Sequence, residues 1–166
     1  ELSGLKKTER IGRIEINPNN SDIVYVAALG HLWNANEERG VYKTSDGGET
    51  WEKVLYVNEN TGCADLSIDP ENPDIIYAAM WNHRRLPYTF RSGGEKGSGL
   101  FKSEDGGESW KKLTSGLPRD SVGRIAVDVS PASPNIVYAV VEAKNKGGLY
   151  KSYDKGASWE LVNETP

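Results

Sequence analysis

The chain has 166 residues, about the length of one ordinary domain, and 37% of them are hydrophobic. Its mean hydropathy is −0.60 and no apolar run approaches the roughly 20 residues of a transmembrane helix, so the sequence predicts no membrane span. The formal net charge of −4 predicts no general attraction to nucleic acid or anionic lipid. Because Cys63 is the only cysteine, an internal disulfide is excluded.

The first predicted element is a pair of strands joined by a proline-containing turn. Apolar and polar residues alternate over 11–17, Pro18 follows, and a second apolar run covers 23–29. In each copy of this pattern the proline stands just past the first strand, where its missing N–H removes no ladder hydrogen bond. The pattern recurs twice, with strands predicted over 63–69 and 75–81, and over 123–129 and 136–142.

A second motif follows each of these strand pairs. It reads Gly-aliphatic-aromatic-Lys-(Ser/Thr)-x-Asp-x-Gly-x-(Ser/Thr)-Trp and occupies residues 40–51, 99–110 and 148–159. Its Asp-x-Gly centre is a turn signal between strand formers, so each copy predicts a hairpin. The predicted strands are 40–45 and 50–56, 99–103 and 109–114, and 147–152 and 158–163.

Within this motif the aspartate accepts hydrogen bonds from backbone N–H groups, the glycine takes positive φ, and the tryptophan folds back over its hairpin. Lys155 replaces the first glycine in the third copy, so the second glycine position is the one that the turn requires. Calcium loops need several oxygen ligands at set intervals, whereas each aspartate stands nearly alone, so no metal site is predicted. Structural roles are predicted for Asp46, Gly48, Trp51, Asp105, Gly107, Trp110, Asp154, Gly156 and Trp159.

The motif resembles the Asp box, or BNR repeat, of sialidases, sortilin-type receptors, two-propeller xyloglucanases and a photosystem II assembly factor. Its aspartates stand 59 and then 49 residues apart. A period of about 40–50 residues with four strands per unit is typical of β-propellers. We therefore predict an all-β fold, a β-propeller fragment of three four-stranded antiparallel blades with Asp-box hairpins.

The predicted blades divide the chain into four parts. Residues 1–10 form an inter-blade linker, 11–57 blade one, 58–117 blade two with a loop insertion at 82–98, and 118–166 blade three and an outgoing linker. Three blades are too few to close a propeller. The predicted partners are therefore the remaining blades of the same protein or other copies of this chain.

Candidate binding residues concentrate in the loops between the second and third strands of blades one and two. Both histidines and the two tryptophans outside the Asp boxes lie there. Long loops that carry aromatic and charged residues are better functional candidates than core positions. The candidates are His31, Trp33, Glu38, Trp81, His83, Arg84, Arg85, Tyr88 and Arg91.

Three interpretations of the blade-two loop stay open. It binds an anionic or sugar ligand, with its arginines pairing carboxylates and Trp33, Trp81 or Tyr88 stacking on a ring. It docks another domain of the same protein. It is plain packing, with Tyr88 and Phe90 covering the blade. His31 and His83 have no neighbouring ligand in sequence, so neither a metal nor a cofactor is predicted.

No catalytic residue is predicted. Glycosidases generally need two carboxylates at a fixed separation, and the loop-side acids stand in no recognisable motif. Arg13 and Arg124 are assigned to the same repeat position, which explains them without a sialidase-like arginine triad. The loop-side acids are Glu37, Glu38, Glu59, Glu95, Asp120 and Glu142.

Nearly the whole chain resembles the sortilin-like (VPS10-type) propellers of large bacterial secreted proteins. The similar segments are 30–33, 36–40 and the run over 62–99. The resemblance implies an extracellular or periplasmic location and binding of peptides or proteins inside the propeller. We therefore predict a non-catalytic binding or scaffold module within a larger propeller, with a protein, peptide or glycan ligand. The alternative is part of a glycoside hydrolase propeller acting on polysaccharide.

Overall fold

The computed structural model describes residues 4–5, 7–93 and 96–164, and every helix or strand within those ranges is a β-strand. Thirteen such strands form three antiparallel sheets that follow one another along the chain. The first sheet contains β1 (Ile11–Ile16), β2 (Val24–Ala28), β3 (Gly40–Thr44) and β4 (Glu52–Leu55). The second contains β5 (Thr61–Ile68), β6 (Ile76–Leu86), β7 (Thr89–Ser92), β8 (Gly99–Ser103) and β9 (Lys111–Lys112). The third contains β10 (Val122–Val129), β11 (Val137–Ala143), β12 (Gly148–Ser152) and β13 (Glu160–Glu164).

The first and third sheets each have four strands in chain order, the second has four in chain order with β7 added beside β6, and the all-β class is confirmed. The described part of the chain holds no helix long and apolar enough to cross a membrane. The second sheet differs from the prediction by one strand. The insertion that was expected to be an irregular loop continues β6 to Leu86 and returns as β7, with Leu86 opposite Thr89. Pro87 favours this two-residue turn because its ring presets φ.

The three hairpin turns centred on Asp46, Asp105 and Asp154, called the Asp turns below, share one hydrogen-bond pattern. Asp105 Oδ1 accepts from the Ser103 hydroxyl at 2.7 Å and from the Ser109 backbone N–H at 2.9 Å. The Ser109 hydroxyl donates to Asp105 Oδ2 at 2.5 Å. These hydrogen bonds, the Ser109 hydroxyl first, lower the pKa of Asp105 to about 2, so the carboxylate stays ionised and holds the turn.

In the second and third Asp turns, the second glycine also lies against the preceding sheet. A Cβ on Gly107 would lie 3.3 Å from the Tyr25 ring of the preceding sheet, and one on Gly156 would lie 3.0 Å from the Tyr77 ring. Both glycines have positive φ, 91° and 83°. Lys155 adopts φ 54° at the first position, so a side chain is accommodated there but not one residue later.

Consecutive sheets pack face to face through a repeated tyrosine. Tyr25 of β2 donates to the Gly106 carbonyl at 2.8 Å, and Tyr77 of β6 donates to the Lys155 carbonyl at 2.7 Å. Each hydrogen bond therefore joins one sheet to the Asp turn of the next. Tyr138 holds the same register on β11, where it remains 37% exposed. Apolar side chains fill the two interfaces, with Val41, Leu66 and Ile76 in the first and Leu100, Val127 and Val137 in the second.

The first strands of the sheets run side by side and are joined by side chains. Asp65 Oδ2 accepts from the Val127 backbone N–H at 3.1 Å, and Ser67 Oγ accepts from that of Val129 at 3.0 Å. The strand register also corrects one assignment. Arg13 pairs with Ala27, whereas Arg124 lies in the bulge between Val122 and Ile125, so the two arginines do not occupy equivalent positions.

Candidate functional site

The candidate site is at the sheet ends opposite the Asp turns, called the loop side below. There the two-stranded ribbon formed by β6 and β7, called the β6–β7 ribbon below, packs against the first sheet. The Arg85 backbone N–H donates to the Leu32 carbonyl at 2.9 Å, and that of His83 donates to the Asn60 carbonyl at 3.2 Å. The insertion in the second sheet therefore lies against the long loop of the first sheet, and the predicted residues of both loops come together.

His83 is the buried centre of this surface. Its ring stacks on Trp81 with 4.3 Å between centroids, and its Nε2 lies 2.9 Å from an Arg10 guanidinium nitrogen. A guanidinium can only donate, so Nε2 accepts and the proton is assigned to Nδ1, which lies 3.2 Å from the Trp81 carbonyl. Burial, together with the nearby arginines, lowers the pKa of His83 to about 4, so the ring is neutral at pH 7.

Arg39 is a fully buried cation beneath His83. Its guanidinium donates to the carbonyls of His31 at 2.6 Å, Asn34 at 3.2 Å and Asn60 at 3.2 Å, and to the Asn36 side chain at 3.2 Å. Burial and the repulsion of neighbouring arginines lower the pKa of Arg39 to about 10, which still leaves it charged at pH 7. Arg39 thus fixes the loop 30–39 from inside.

Arg39 is not among the predicted site residues, although the repeat carries a signal for it. The residue directly before the Gly-aliphatic-aromatic motif is Ser98 in the second sheet and Gly147 in the third, and only the first sheet places a charge there. A residue that departs from the repeat at a buried position indicates a role specific to that sheet, because the repeated fold does not require that residue. Arg10 and Arg124 were missed as contacts of this surface because they lie at strand starts and not in loops.

A chain of hydrogen bonds ties the ribbon to the third sheet. Trp81 Nε1 donates to the Ser92 hydroxyl at 2.9 Å, which donates to Glu142 Oε2 at 2.7 Å. The Arg124 backbone N–H donates to the same oxygen at 2.8 Å, and the Arg124 guanidinium lies 5.5 Å from the Trp81 ring. Through these hydrogen bonds Glu142 holds the β6–β7 ribbon against the third sheet.

The exposed part of the loop side is aromatic and cationic. Trp33 is 54% exposed, with the Arg85 guanidinium 6.0 Å from its ring, and Tyr88 at the ribbon tip is fully exposed. Arg84 stands opposite Arg91 across the ribbon and donates to the Asn60 side chain at 2.6 Å. These side chains present apolar ring faces and guanidinium groups to solvent on one surface.

Two predicted residues lie apart from this surface, and one candidate acid cannot be placed. Glu38 lines a separate cavity of about 220 Å³ with Leu5 and Tyr42. His31 Nε2 lies 3.5 Å from a Glu9 carboxylate oxygen. His83 Nε2 instead contacts the Arg10 guanidinium. No group of three metal-ligating side chains occurs in the ranges that the structure describes. Glu95 lies outside the described residues.

Comparison with known proteins gives the following relatives. The chain is 28% identical over 165 residues to a xyloglucanase of Paenibacillus sp, with 92% of this chain and 14% of the relative covered. It is 28% identical over 164 residues to an oligoxyloglucan-reducing end-specific xyloglucanase of Emericella nidulans, with 92% and 18% covered. The chain thus spans less than a fifth of the length of these two curated relatives. No protein-family model matches.

Among solved structures, an ancestral GH74 enzyme superposes with a TM-score of 0.71 and 22% sequence identity, covering 99% of this chain and 20% of that one. This likeness shows the fold, and the predicted β-propeller fragment is confirmed. The prediction of a non-catalytic peptide-binding or scaffold module is wrong, because the curated relatives are named xyloglucanases. The stretch in which no acid-pair motif occurs matches only 14% and 18% of the length of those relatives.

Proposed function

We propose that this chain forms three blades of a glycoside hydrolase β-propeller and that its loop side contacts a polysaccharide of the xyloglucan class. The observation that carries the proposal is the alignment of 92% of the chain with curated xyloglucanases. A polysaccharide substrate fits the extracellular or periplasmic location that the family resemblance implies, and that location stays a prediction. The assignment to the sortilin-like (VPS10-type) Asp-box family also stays a prediction.

The loop side has the chemistry that a sugar chain needs. Trp33 and Tyr88 expose large ring faces, on which the apolar faces of pyranose rings can stack. Arg85 beside Trp33 supplies N–H donors for sugar hydroxyls. Glu142 accepts from Ser92 and Arg124, so we assign it to positioning the ribbon and not to proton transfer. These residues therefore account for binding, and we assign no catalytic carboxylate to them.

The test is release of new reducing ends from xyloglucan by the complete propeller that contains these three blades, with Trp33→Ala and Tyr88→Ala variants. Loss of one stacking ring is expected to raise KM about tenfold, equivalent to about 1.4 kcal/mol, and to change kcat little. Tyr153→Ala is the matched control, because Tyr153 is 58% exposed but belongs to the Asp turn of the third sheet. Absence of reducing-end release would overturn the proposal, and an equal effect of Tyr153→Ala would overturn the binding surface.

A further inference from the structure

The backbone that carries the exposed ring of Trp33 is hydrogen-bonded on both sides of that residue. The Arg39 guanidinium donates to the carbonyls of His31 at 2.6 Å and Asn34 at 3.2 Å. The carbonyl directly before Trp33 accepts from the Arg85 backbone N–H at 2.9 Å. Connecting loops are usually more mobile than the strands that they join, yet this one is tied down next to an exposed aromatic ring. The segment around Trp33 is therefore ordered in the unliganded protein.

Arg39 is itself fixed from several directions. It is fully buried, its Nε donates to the Asn36 side chain at 3.2 Å, and its Nη1 donates to the Asn60 carbonyl at 3.2 Å. The same Asn36 oxygen accepts from the His31 backbone N–H at 3.1 Å. A Cβ on Gly30 would clash with that oxygen and with Arg39 Cγ, so glycine leaves room for this arrangement. The loop is thus built around the guanidinium.

The repeated fold does not require a charge at this position. The equivalent residues before β8 and β12 are Ser98 and Gly147, and both hairpins form without a guanidinium there. Burying a cation is unfavourable unless its surroundings compensate for the lost water. Among the described residues, the oxygen atoms that accept from Arg39 all belong to neutral groups. A costly group that the fold does not need indicates a local role, and the segment that Arg39 holds is the one that carries Trp33.

We propose that Arg39 is a positioning residue, which holds the Trp33 ring in the orientation that stacks on a sugar. This role rests on the proposed function, because Arg39 acts only through the Trp33 ring. Ordering a loop when a ligand binds costs free energy, and a loop that is already ordered avoids that cost. A planar guanidinium donates to several oxygens in a fixed geometry, whereas a lysine ammonium is one compact charge. The affinity for a neutral oligosaccharide therefore depends on Arg39, although Arg39 touches no sugar.

The experiment is a double-mutant cycle on the complete propeller that contains these three blades. Isothermal titration calorimetry measures the Kd of a xyloglucan oligosaccharide for the wild type, Trp33→Ala, Arg39→Met and the double variant. Trp33→Ala is expected to raise Kd about tenfold, and Arg39→Met about fivefold. The double variant should match Trp33→Ala within about twofold, because an absent ring cannot be positioned. The kcat for xyloglucan cleavage should change little, because neither residue is assigned to the reacting groups.

Two further variants keep the test valid where Arg39→Met does not fold. Arg39→Lys keeps the charge without the planar set of donors, so it should raise Kd nearly as much as Arg39→Met. Asn36→Ala leaves Arg39 in place and removes one of its acceptors, so it should raise Kd about twofold, and only when Trp33 is present. Tyr77→Phe is the matched control, because it weakens packing on the Asp-turn side and should leave Kd unchanged.

The outcomes separate this role from the proposed function. Losses that multiply in the double variant overturn the role of Arg39, because Arg39 then acts without the ring. An unchanged Kd in the Arg39 and Asn36 variants also overturns it, and the proposed function stands if Trp33→Ala weakens binding. An equal rise in Kd with Tyr77→Phe overturns it as well, because the effect is then a general loss of stability. No binding by the wild type, or an unchanged Kd in Trp33→Ala, overturns both the proposed binding surface and the role of Arg39.

Discussion

At the scale of single residues, His83 shows how the protein keeps a titratable group neutral. Its ring is buried and placed beside cations, and both features disfavour the imidazolium. The neutral ring can then accept from Arg10, which a protonated ring could not do. The position of Arg10 therefore depends on the protonation state of His83.

His83 predicts a pH dependence of stability. Its pKa is about 4 in the folded protein against 6.5 for the unfolded chain, so the unfolded state binds more protons between these values. The free energy of unfolding should therefore fall as pH decreases from about 6.5 to about 4, by roughly 1–3 kcal/mol. Urea unfolding at several pH values measures this change in the free energy of unfolding. His83→Asn should flatten the curve over this range and the matched His31→Asn should not, and an unchanged curve in His83→Asn contradicts the prediction.

At the scale of elements, the Asp turn has two roles that its motif does not distinguish. Within its own hairpin the aspartate orders the turn through the residues two before and four after it. On the side of the preceding sheet, a backbone carbonyl of the turn accepts a hydrogen bond from a tyrosine hydroxyl. The second glycine of the turn lies against the ring of the same tyrosine. The motif is therefore both a turn and half of an interface. Trp110 and Trp159 close their turns by donating to Gly107 and Gly156.

The tyrosine contacts predict a difference between two otherwise equivalent substitutions. Tyr77→Phe removes the hydrogen bond to Lys155 and should lower the free energy of unfolding by about 1 kcal/mol. Tyr138→Phe, at the same register, removes no contact with a following Asp turn and should change it by less than half as much. The midpoints of urea unfolding of the two variants measure this difference in stability. Equal losses would mean that the tyrosines act through their own sheets and not through the interface.

At the scale of the whole molecule, the two outer sheet faces are complementary. Ile14 corresponds in register to Leu66 and Val127, which pack against the preceding sheet, yet Ile14 is 53% exposed. Val140 corresponds to Ala79, which faces the following sheet, and is 51% exposed. The first sheet therefore exposes the kind of surface that the second and third sheets bury against the preceding sheet. The third sheet exposes the kind of surface that the first and second sheets bury against the following sheet. Such head-to-tail surfaces close into a ring or continue through further blades.

These faces predict association of the chain. Contiguous exposed apolar surface favours contact between copies, so light scattering should give a molar mass above the 18.3 kDa of one chain. Val140→Lys should return the mass toward that of a monomer, because a charge cannot be buried against Ile14 of another copy. Tyr153→Lys, on the Asp turn, is the control. A monomeric wild-type chain would contradict this prediction and leave further blades of one protein as the expected cover.

The amino-acid sequence by itself determined the repeat, the strands and the turns, because each depends on local patterns. Alternation, proline position and the Asp-x-Gly motif act over fewer than about 20 residues and recur three times. The contacts around His83 and Asn60 were decided only by the tertiary structure. Arg10, Arg39 and Arg84 are far apart in the chain and meet because the β6–β7 ribbon leans on the first sheet. The hydrogen bonds of the buried Arg39 depend on contacts between distant segments, and no local pattern specifies those contacts.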